Sequence, residues 1–387
     1  MKDNKWFILA FAAVLVILII FGSVQIPGAH SSPKSLPIGL LVEDKGEMGQ
    51  SFAELIQEKV SAAAEDKEPM IEWIVLENEK QMEKKMADQT LYGALVIPGN
   101  FTQQYASLQS PAPTSPTLQI FINQGKNATV ATIVNQALTG VVTQMNVQLS
   151  NQLLAAMEQN NIPLTVEQAR LFTSPIQSST VNLHETGSLN NAPMAFFQPI
   201  WLASVVSAIF LWLACKNRLF TSSIEQFKLR ALQVLLAVLL GLLAGFTLPW
   251  ITTWMLDYEF ESYVNIACFL SISCISFILM ILAVITWIGY AGIPIFILFM
   301  FYGLPLLQLT PEMMPAFYKD WIFPWLPMRF MFDGVREVLF YSGKVWNDGA
   351  LRLLWISIAG ILLMLAKVFM PLKKESISTE QEMLNKN

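Results

Sequence analysis

Long uncharged stretches alternate with short charged segments along this chain. The 50 residues from Ser262 to Pro311 contain no Asp, Glu, Lys or Arg, and a second uncharged run extends from Ala231 to Leu256. About 20 consecutive apolar residues cross a bilayer, so runs of this length indicate transmembrane helices. The pattern predicts six spans: Trp6–Phe21, Phe196–Cys215, Ala231–Met255, Tyr263–Thr286, Ile293–Leu309 and Leu351–Met370.

The composition supports a membrane protein. Of 387 residues, 54% are hydrophobic and 14% are charged, whereas soluble domains carry about 25% charged residues. The first span follows the basic residues Lys2 and Lys5, so it also has the layout of a signal peptide, with a small-residue cleavage region at Gly28–Ser31. We favour an uncleaved first helix, because five later spans already require an integrated protein.

Basic residues near the span ends predict the orientation, since Lys and Arg resist translocation. The predicted inner segments contain Lys216, Arg218, Lys228 and Arg230, whereas the outer loop "LDYEFESY" has three acids and no base. Both termini are therefore expected in the cytoplasm of a multi-pass plasma-membrane protein, with residues 28–193 outside the cell.

Three segments follow from this topology. Residues 1–27 are the first transmembrane helix with a cytoplasmic N-terminus, and residues 28–193 are an extracytoplasmic α/β domain. Residues 194–387 are a five-helix transmembrane domain with an amphipathic outer helix at 327–342 and a cytoplasmic tail.

The outer block alternates apolar runs with amphipathic stretches. The runs "LPIGLLVED", "MIEWIVLE", "YGALVIP" and "TLQIFIN" predict four strands, paired mostly in parallel and layered with helices. A long helix follows from "NATVATIVNQ" onward. We favour packing of this helix on the sheet, and an extended stalk is the alternative.

The sequence offers no candidate catalytic site. His30 and His184 lie in or near linkers, no HExxH motif or Cys/His cluster suits a metal, and the three cysteines fall in predicted spans. The glycine-lysine pairs in "NQGKNAT" and "YSGKVW" lack the earlier glycine and the Ser or Thr of a phosphate-binding loop. We therefore expect no enzyme activity, no catalytic, cofactor-binding or metal-binding residue, and no nucleic-acid partner.

A small-residue pair marks the third predicted span. "GLLAG" places Gly241 and Gly245 four positions apart, which permits close approach of two helices. We favour a helix contact within one chain, and a contact between two copies in a dimer is the alternative.

The segment "LPMRFMFDGVREVLFYSG" predicts an amphipathic helix that is too charged to span a membrane and too apolar for water. Its charged residues Arg329, Asp333, Arg336 and Glu337 gather on one side, so we expect the helix to dip into the outer leaflet. Three tryptophans are candidate interfacial anchors: Trp321, Trp325 and Trp346. The helix is either a passive lid or an outer gate whose charges keep an exit closed.

The order of these segments resembles the ABC-2 type exporter permeases and, more narrowly, their phage-infection-protein (Pip/YhgE) branch. The resemblance rests on "LPIGLLVEDKGEMG", "YGALVIPGNFT", "INQGKNATVATIVNQ", "NNAPMAFFQPIWLAS" and "LPMRFMFDGVREVLFYSG", in this order over nearly the whole chain. Many Pip-type proteins have a longer outer domain with coiled-coil insertions, and this chain departs from them there.

The resemblance implies an α-helical polytopic fold like that of type V ABC exporters, with six transmembrane helices and the outer α/β domain between the first two. It also implies a bacterial permease that works as a homodimer, depends on a separate ABC ATPase subunit and moves an amphipathic or lipid-like substrate outward. The inner loop "KNRLFTSSIEQFKLRA" would contact the ATPase through Ile224, Phe227, Lys228 and Arg230, or would lie on anionic membrane lipid instead. The alternative function is a membrane-anchored receptor or scaffold that binds a phage or an envelope component without transport.

Overall fold

The computed structural model describes residues 4–29, 31–62, 69–108, 110, 113–159, 165–216, 218, 220 and 222–369. The predicted cytoplasmic tail beyond residue 369 and the basic Lys2 lie outside this set. The chain divides into two compact units: residues 1–190 with 305–325, and residues 191–304 with 326–387.

Among the described residues of the first unit, five strands form one sheet: β1 (Leu36–Val42), β2 (Ile71–Leu76), β3 (Gly93–Ile97), β4 (Thr117–Asn123) and β5 (Gln177–Leu183). The helices of this unit are α1 (Asn4–Val24), α2 (Ile26–Ala29), α3 (Glu47–Ala62), α4 (Glu79–Ala87), α5 (Phe101–Ser107), α6 (Ala128–Gln159) and α7 (Val166–Phe172). The strand order is β2-β1-β3-β4-β5. β1 pairs in parallel with β2 and β3, whereas β4 is antiparallel to β3 and parallel to β5.

Apolar side chains cover both faces of this sheet. On one face, Ile38 packs in a core with Phe52 of α3 and Val134 of α6. On the other face, Leu41 packs with Met82 of α4. Strand β3, "GALVI", is buried throughout, as expected for a central strand that helices cover on both sides.

The predicted α/β layer is present in the structure, with one additional strand. α6 contributes buried residues from Val130 to Met157 to the core that it shares with the sheet, so the stalk alternative is wrong. Strand β5 was not predicted, because six of its seven side chains are exposed and its sequence "QSSTVNL" shows no apolar alternation.

The remaining helices are α8 (Ala192–Lys216), α9 (Ser223–Leu256), α10 (Tyr263–Ile288), α11 (Ile293–Gln308), α12 (Pro327–Phe340) and α13 (Asp348–Ala366). α10 lies at the centre of the second unit. The ring of Phe277 in α10 is 5.0 Å from that of Trp201 in α8, and the Ser276 hydroxyl donates a hydrogen bond of 2.7 Å to the Leu353 carbonyl in α13. A helix that is apolar on all sides is stable in such a central position, since its neighbours bury every face.

Contacts at the two ends of the second unit show that α8 and α9 are antiparallel. Near the beginning of α8, the Phe196 ring lies 6.2 Å from that of Tyr258, which follows α9. At the opposite end, Gln233 of α9 donates a hydrogen bond of 2.9 Å to the Leu211 carbonyl of α8. The connections after α8 and after α9 therefore lie at opposite ends of the unit, as membrane-crossing helices require.

Four helical segments in the described residues are long and apolar enough to cross a membrane: Gly187–Lys216, Ser223–Leu256, Tyr263–Gln308 and Asp348–Phe369. The third contains both α10 and α11, joined by a 3-10 turn at Gly289–Gly292. α11 has only 16 residues, or about 24 Å, short of the roughly 30 Å of hydrocarbon in a bilayer. A shorter apolar helix, Val14–Ala29, overlaps the first predicted span. The predicted count of six spans is therefore not confirmed.

Candidate functional site

The sequence explains where α12 begins and ends. Pro327 occupies its first turn, where a missing amide hydrogen costs nothing. Apolar side chains then recur at three- and four-residue spacing, and Met328, Met331 and Val335 are fully buried. After the last turn, Gly343 has a φ of +63°, a conformation that glycine adopts without steric penalty.

α12 packs through its apolar face against three of the apolar helices. Its Phe332 ring lies 6.2 Å from that of Phe197 in α8, and its Gly334 lies directly against the ring of Phe269 in α10. Asn347, which caps α13, donates a side-chain hydrogen bond of 3.4 Å to the Gly334 carbonyl. These contacts fix α12 among the helices of the second unit.

The four predicted gate residues lie on the more exposed side of α12. Arg329 Nε is 3.1 Å from Asp333 Oδ2, and Arg336 Nη1 is 3.9 Å from Asp333 Oδ1. Both ion pairs are within the helix, and Glu337 is half-buried beside them. Partly exposed pairs at this spacing contribute a few tenths of a kcal/mol each. They order the charged face but add little to the stability of α12.

The segment that precedes α12, residues 305–325, belongs to the first unit and is anchored to its sheet. Glu312 lies in the short turn Pro311–Met313, and its carboxylate accepts a hydrogen bond of 2.8 Å from the Tyr92 hydroxyl. Tyr92 directly precedes β3 and is 1% exposed. The Glu312 carbonyl also accepts the amide hydrogen of Lys34, at 3.2 Å.

Lys126 completes this group of side chains. Its Nζ lies 3.5 Å from the centroid of the Tyr92 ring and donates a hydrogen bond of 3.1 Å to the Thr90 carbonyl. Burial lowers the pKa of Lys126 from its ordinary 10.5 to about 8, and the negative charge of Glu312 opposes that shift. We name Tyr92, Lys126 and Glu312 the Glu312 anchor.

Further contacts hold the same segment on the sheet. The Asn127 side chain donates a hydrogen bond of 3.5 Å to the Gln308 carbonyl, and Met313 packs against the core of the first unit. Local sequence pattern does not reveal the anchor, because 220 positions separate its tyrosine from its glutamate. Neither residue stands in a motif that would reveal the contact.

The predicted ATPase-contact residues lie at the beginning of α9. Ile224, Phe227 and Lys228 are exposed there, whereas Arg230 is buried. The segment is helical from Ser223, which corrects the prediction of a loop through these positions. The exposed residues form a continuous surface of two apolar side chains and one basic side chain, and Arg230 does not belong to it.

Gly241 and Gly245 both face α10 in the same chain. A Cβ atom at Gly241 would overlap the Ile275 side chain, and one at Gly245 would stand 2.6 Å from the Cα of Ser271. The two helices can approach this closely only because neither glycine has a side chain.

No group of three or more His, Cys, Asp or Glu side chains within the described ranges is placed to hold a metal ion. The cysteines are free thiols: Cys215 in α8, and Cys268 and Cys274 in α10. The described geometry thus presents two separate candidate sites. One is the charged face of α12 in the second unit, and the other is the Glu312 anchor in the first.

Comparisons with known proteins place the chain in a family. A comparison with curated proteins finds no match. Among solved structures, the chain is similar to "a domain of a putative ABC type-2 transporter from Thermotoga maritima MSB8", at 16% identity and a TM-score of 0.25, with 38% of this chain and 84% of that chain covered. A TM-score this low does not establish a shared fold. The family model DUF3533, described as a protein of unknown function, matches residues 5–357. Since that match spans most of the sequence, the chain belongs to the DUF3533 family.

Proposed function

We propose that this chain is the permease subunit of an ABC-2 type exporter of the Pip/YhgE kind, which moves an amphipathic or lipid-like substrate outward across a bacterial plasma membrane. The observation that carries the proposal is α12, whose apolar face is buried against α8, α10 and α13. Its other face holds Arg329, Asp333 and Arg336 beside strongly apolar helices. Ionisable groups at membrane depth are costly, so they usually face a water-filled path or another polar surface.

In this proposal, the charged face of α12 is the outer gate of a homodimer. When the charged faces of α12 in the two copies meet, their ion pairs hold water between them. This water excludes acyl chains, so the exit is closed to an apolar substrate. The exit opens when the two copies rearrange.

A separate ABC ATPase subunit supplies the energy in this proposal. Its contact is the surface formed by Ile224, Phe227 and Lys228, which are all exposed at the start of α9. Two exposed apolar residues beside a basic one suit a protein partner. They would equally suit the surface of an anionic membrane if no ATPase binds.

A second candidate function is a membrane-anchored receptor or scaffold, and strand β5 favours it. β5 is the edge of the sheet next to β4, and six of its seven side chains are exposed. An exposed edge strand can pair with an extended segment of a partner protein. In this alternative, the α/β unit binds an envelope component or a phage, and the apolar helices only anchor it.

Co-purification distinguishes the two functions. The chain is expressed with candidate stand-alone ATPases, purified in mild detergent and assayed for bound protein and for ATP hydrolysis. The exporter proposal predicts a stable complex that hydrolyses ATP and that Phe227→Asp or Lys228→Glu disrupts. Membrane insertion and protein level should not change in either variant. Failure of every candidate ATPase to bind would favour the receptor.

Charge reversal tests the gate itself. Arg336→Glu would place a third carboxylate beside Asp333 and Glu337, so the closed arrangement of the charged face should be lost and export should fall. Lys344→Glu is the matched control, since this exposed lysine lies just after α12. Unchanged export by Arg336→Glu, in protein that folds and reaches the membrane, would leave α12 as a passive lid.

A further inference from the structure

Polar side chains cluster at the end of the second unit that lies opposite α12. Arg230 Nη1 donates a hydrogen bond of 2.7 Å to Gln233 Oε1, and Gln233 in turn donates to the Leu211 carbonyl of α8. Lys367, just after α13, donates to the Thr286 carbonyl near the end of α10. The turn Lys367–Phe369 contacts α9, the helix that carries Arg230. The inner basic cluster is defined by these residues: Gln226, Arg230, Gln233, Thr286 and Lys367.

Several polar groups of the inner basic cluster lack a partner. Gln226 Oε1, Arg230 Nε and Thr286 Oγ1 are buried and form no hydrogen bond with any described residue. The three residues are 7%, 7% and 4% exposed. Within the described part of the chain, no carboxylate lies within 4.0 Å of Arg230 or Lys367. Arg230 is buried and Lys367 is half-buried. Because a buried charge is normally paired, a buried arginine beside a second cation and without an acid calls for an anion.

Aromatic side chains at the same end of the unit are typical of the lipid headgroup region. Trp287 and Tyr290 are 39% and 52% exposed. Trp287 donates an indole hydrogen bond of 2.9 Å to the Leu363 carbonyl, and Lys216 Nζ is 4.1 Å from the centroid of the Tyr290 ring. Tryptophan, tyrosine and lysine collect at this depth because each has an apolar body and a polar end.

We propose that the inner basic cluster binds the phosphate of an anionic phospholipid. Arg230 and Lys367 supply the positive charge, and Arg230 Nε and the Thr286 hydroxyl supply the donors that are otherwise unused. Guanidinium groups bind phosphate strongly because two donors meet two oxygens.

A free phosphate ion presents the same charge but does not account for Trp287 and Tyr290, the headgroup-type aromatic residues at this end of the unit. The site is also separate from the exposed surface of α9, because Lys228 points to solvent while Arg230 is buried two positions later. The inference goes beyond export, since a lipid bound here would hold α8, α9, α10 and α13 together at one end.

Native mass spectrometry of the purified full chain tests the proposal. The protein is equilibrated in micelles with phosphatidylglycerol, with phosphatidylcholine or with inorganic phosphate. We expect retention of phosphatidylglycerol over phosphatidylcholine, and a loss of affinity of about tenfold or more in Arg230→Gln and in Lys367→Gln. The matched control Lys344→Gln, at an exposed lysine after α12, should change affinity by less than about twofold.

Thermal denaturation separates loss of the site from loss of the fold. Lys367→Gln removes one of the two cations of the inner basic cluster, so the lipid-free variant should melt at the same or a higher temperature than the wild type. Phosphatidylglycerol should then raise its melting temperature much less than it raises that of the wild type. A lower melting temperature without lipid, together with an unchanged shift with lipid, would overturn the proposal.

Three further results would also overturn it. One is equal retention of the two phospholipids by the wild type, and another is an equal loss of phosphatidylglycerol in Lys344→Gln. The third is inorganic phosphate that binds with the same dependence on Arg230 while neither lipid is preferred, which would assign the site to the free ion.

Discussion

Removal of the Tyr92 hydroxyl is expected to loosen segment 305–325 from the α/β unit. Tyr92→Phe keeps the ring, and with it the contact to Lys126, but loses the hydrogen bond to the Glu312 carboxylate. That bond has the normal length for an O–H···O contact, 2.8 Å. A hydrogen bond to a charged group contributes about 1.5–3 kcal/mol. Because this one is only partly buried, we expect a loss of about 1–2 kcal/mol.

Hydrogen exchange of backbone amides measures this loss directly. The Lys34 amide donates to the Glu312 carbonyl at 3.2 Å, and the Met313 amide donates to the Thr310 carbonyl at 2.9 Å. Both exchange when the segment opens locally, and 1–2 kcal/mol less stability speeds that exchange by about 5- to 30-fold. Glu312→Gln, which keeps an acceptor but removes its charge, should give a smaller acceleration.

Tyr105→Phe is the matched control for this experiment. Tyr105 is a half-buried tyrosine of the same unit whose ring lies 6.3 Å from that of Phe52. Its hydroxyl forms no hydrogen bond with the described residues, so exchange at Lys34 and Met313 should stay as in the wild type. Equal exchange in Tyr92→Phe and the wild type would refute the reasoning, and so would an equal acceleration in Tyr105→Phe.

Two further predictions concern other contacts. Gly245→Ala should lower the free energy of unfolding of the second unit in SDS micelles. This loss should exceed the change that Gly140→Ala causes in the first unit by about 1–3 kcal/mol. Both changes gain helix propensity, but only Gly245 meets another backbone; equal effects would contradict the α9–α10 contact. The pKa of Lys126 is lowered to about 8 from 10.5, so the unfolded chain binds more protons between these values. The free energy of unfolding of the α/β unit should therefore rise from about pH 8 to pH 10.5. Urea titrations across this range would show it, and Lys126→Met should remove the rise.

Short apolar runs located most of the sheet from the sequence. Strands β1 to β4 were predicted because buried strands require continuous or alternating apolar residues, which stand out between polar segments. β5 has no such requirement, since it is an exposed edge held mainly by its backbone pairing with β4. Its serine and threonine residues are typical of loops as well as of edge strands, so local pattern could not distinguish the two.

Predictions for the membrane part succeeded where they depended on local periodicity. The charged residues of α12 lie on its more exposed side as the helical pattern indicated, although their role as a gate stays a prediction. Arg230 was grouped with Phe227 and Lys228 because they are close in sequence. The helix in fact places Arg230 beside Gln226 and Gln233, at i,i+4 and i,i+3, on the buried side of α9.

Long-range contacts were beyond the reach of pattern analysis. Tyr92 and Glu312 are 220 positions apart, and no local pattern links them. The glycine pair of α9 predicted a close helix contact but did not identify α10 as the partner. The predicted number of six spans is not confirmed, for a related reason. Uncharged length alone does not tell whether α10 and α11 cross a membrane separately, since a 3-10 turn of four residues joins them within one apolar stretch.

Outward movement of a lipid-like substrate is the central claim, and a proteoliposome assay tests it most directly. The chain and its co-purified ATPase are reconstituted with a headgroup-labelled phospholipid, and a membrane-impermeant quencher reports the label that reaches the leaflet opposite the ATPase. The account predicts transfer that requires ATP hydrolysis, that Arg336→Glu reduces and that Lys344→Glu leaves intact. The account would be contradicted if the bound ATPase hydrolyses added ATP but the lipid is transferred no faster than in the absence of ATP.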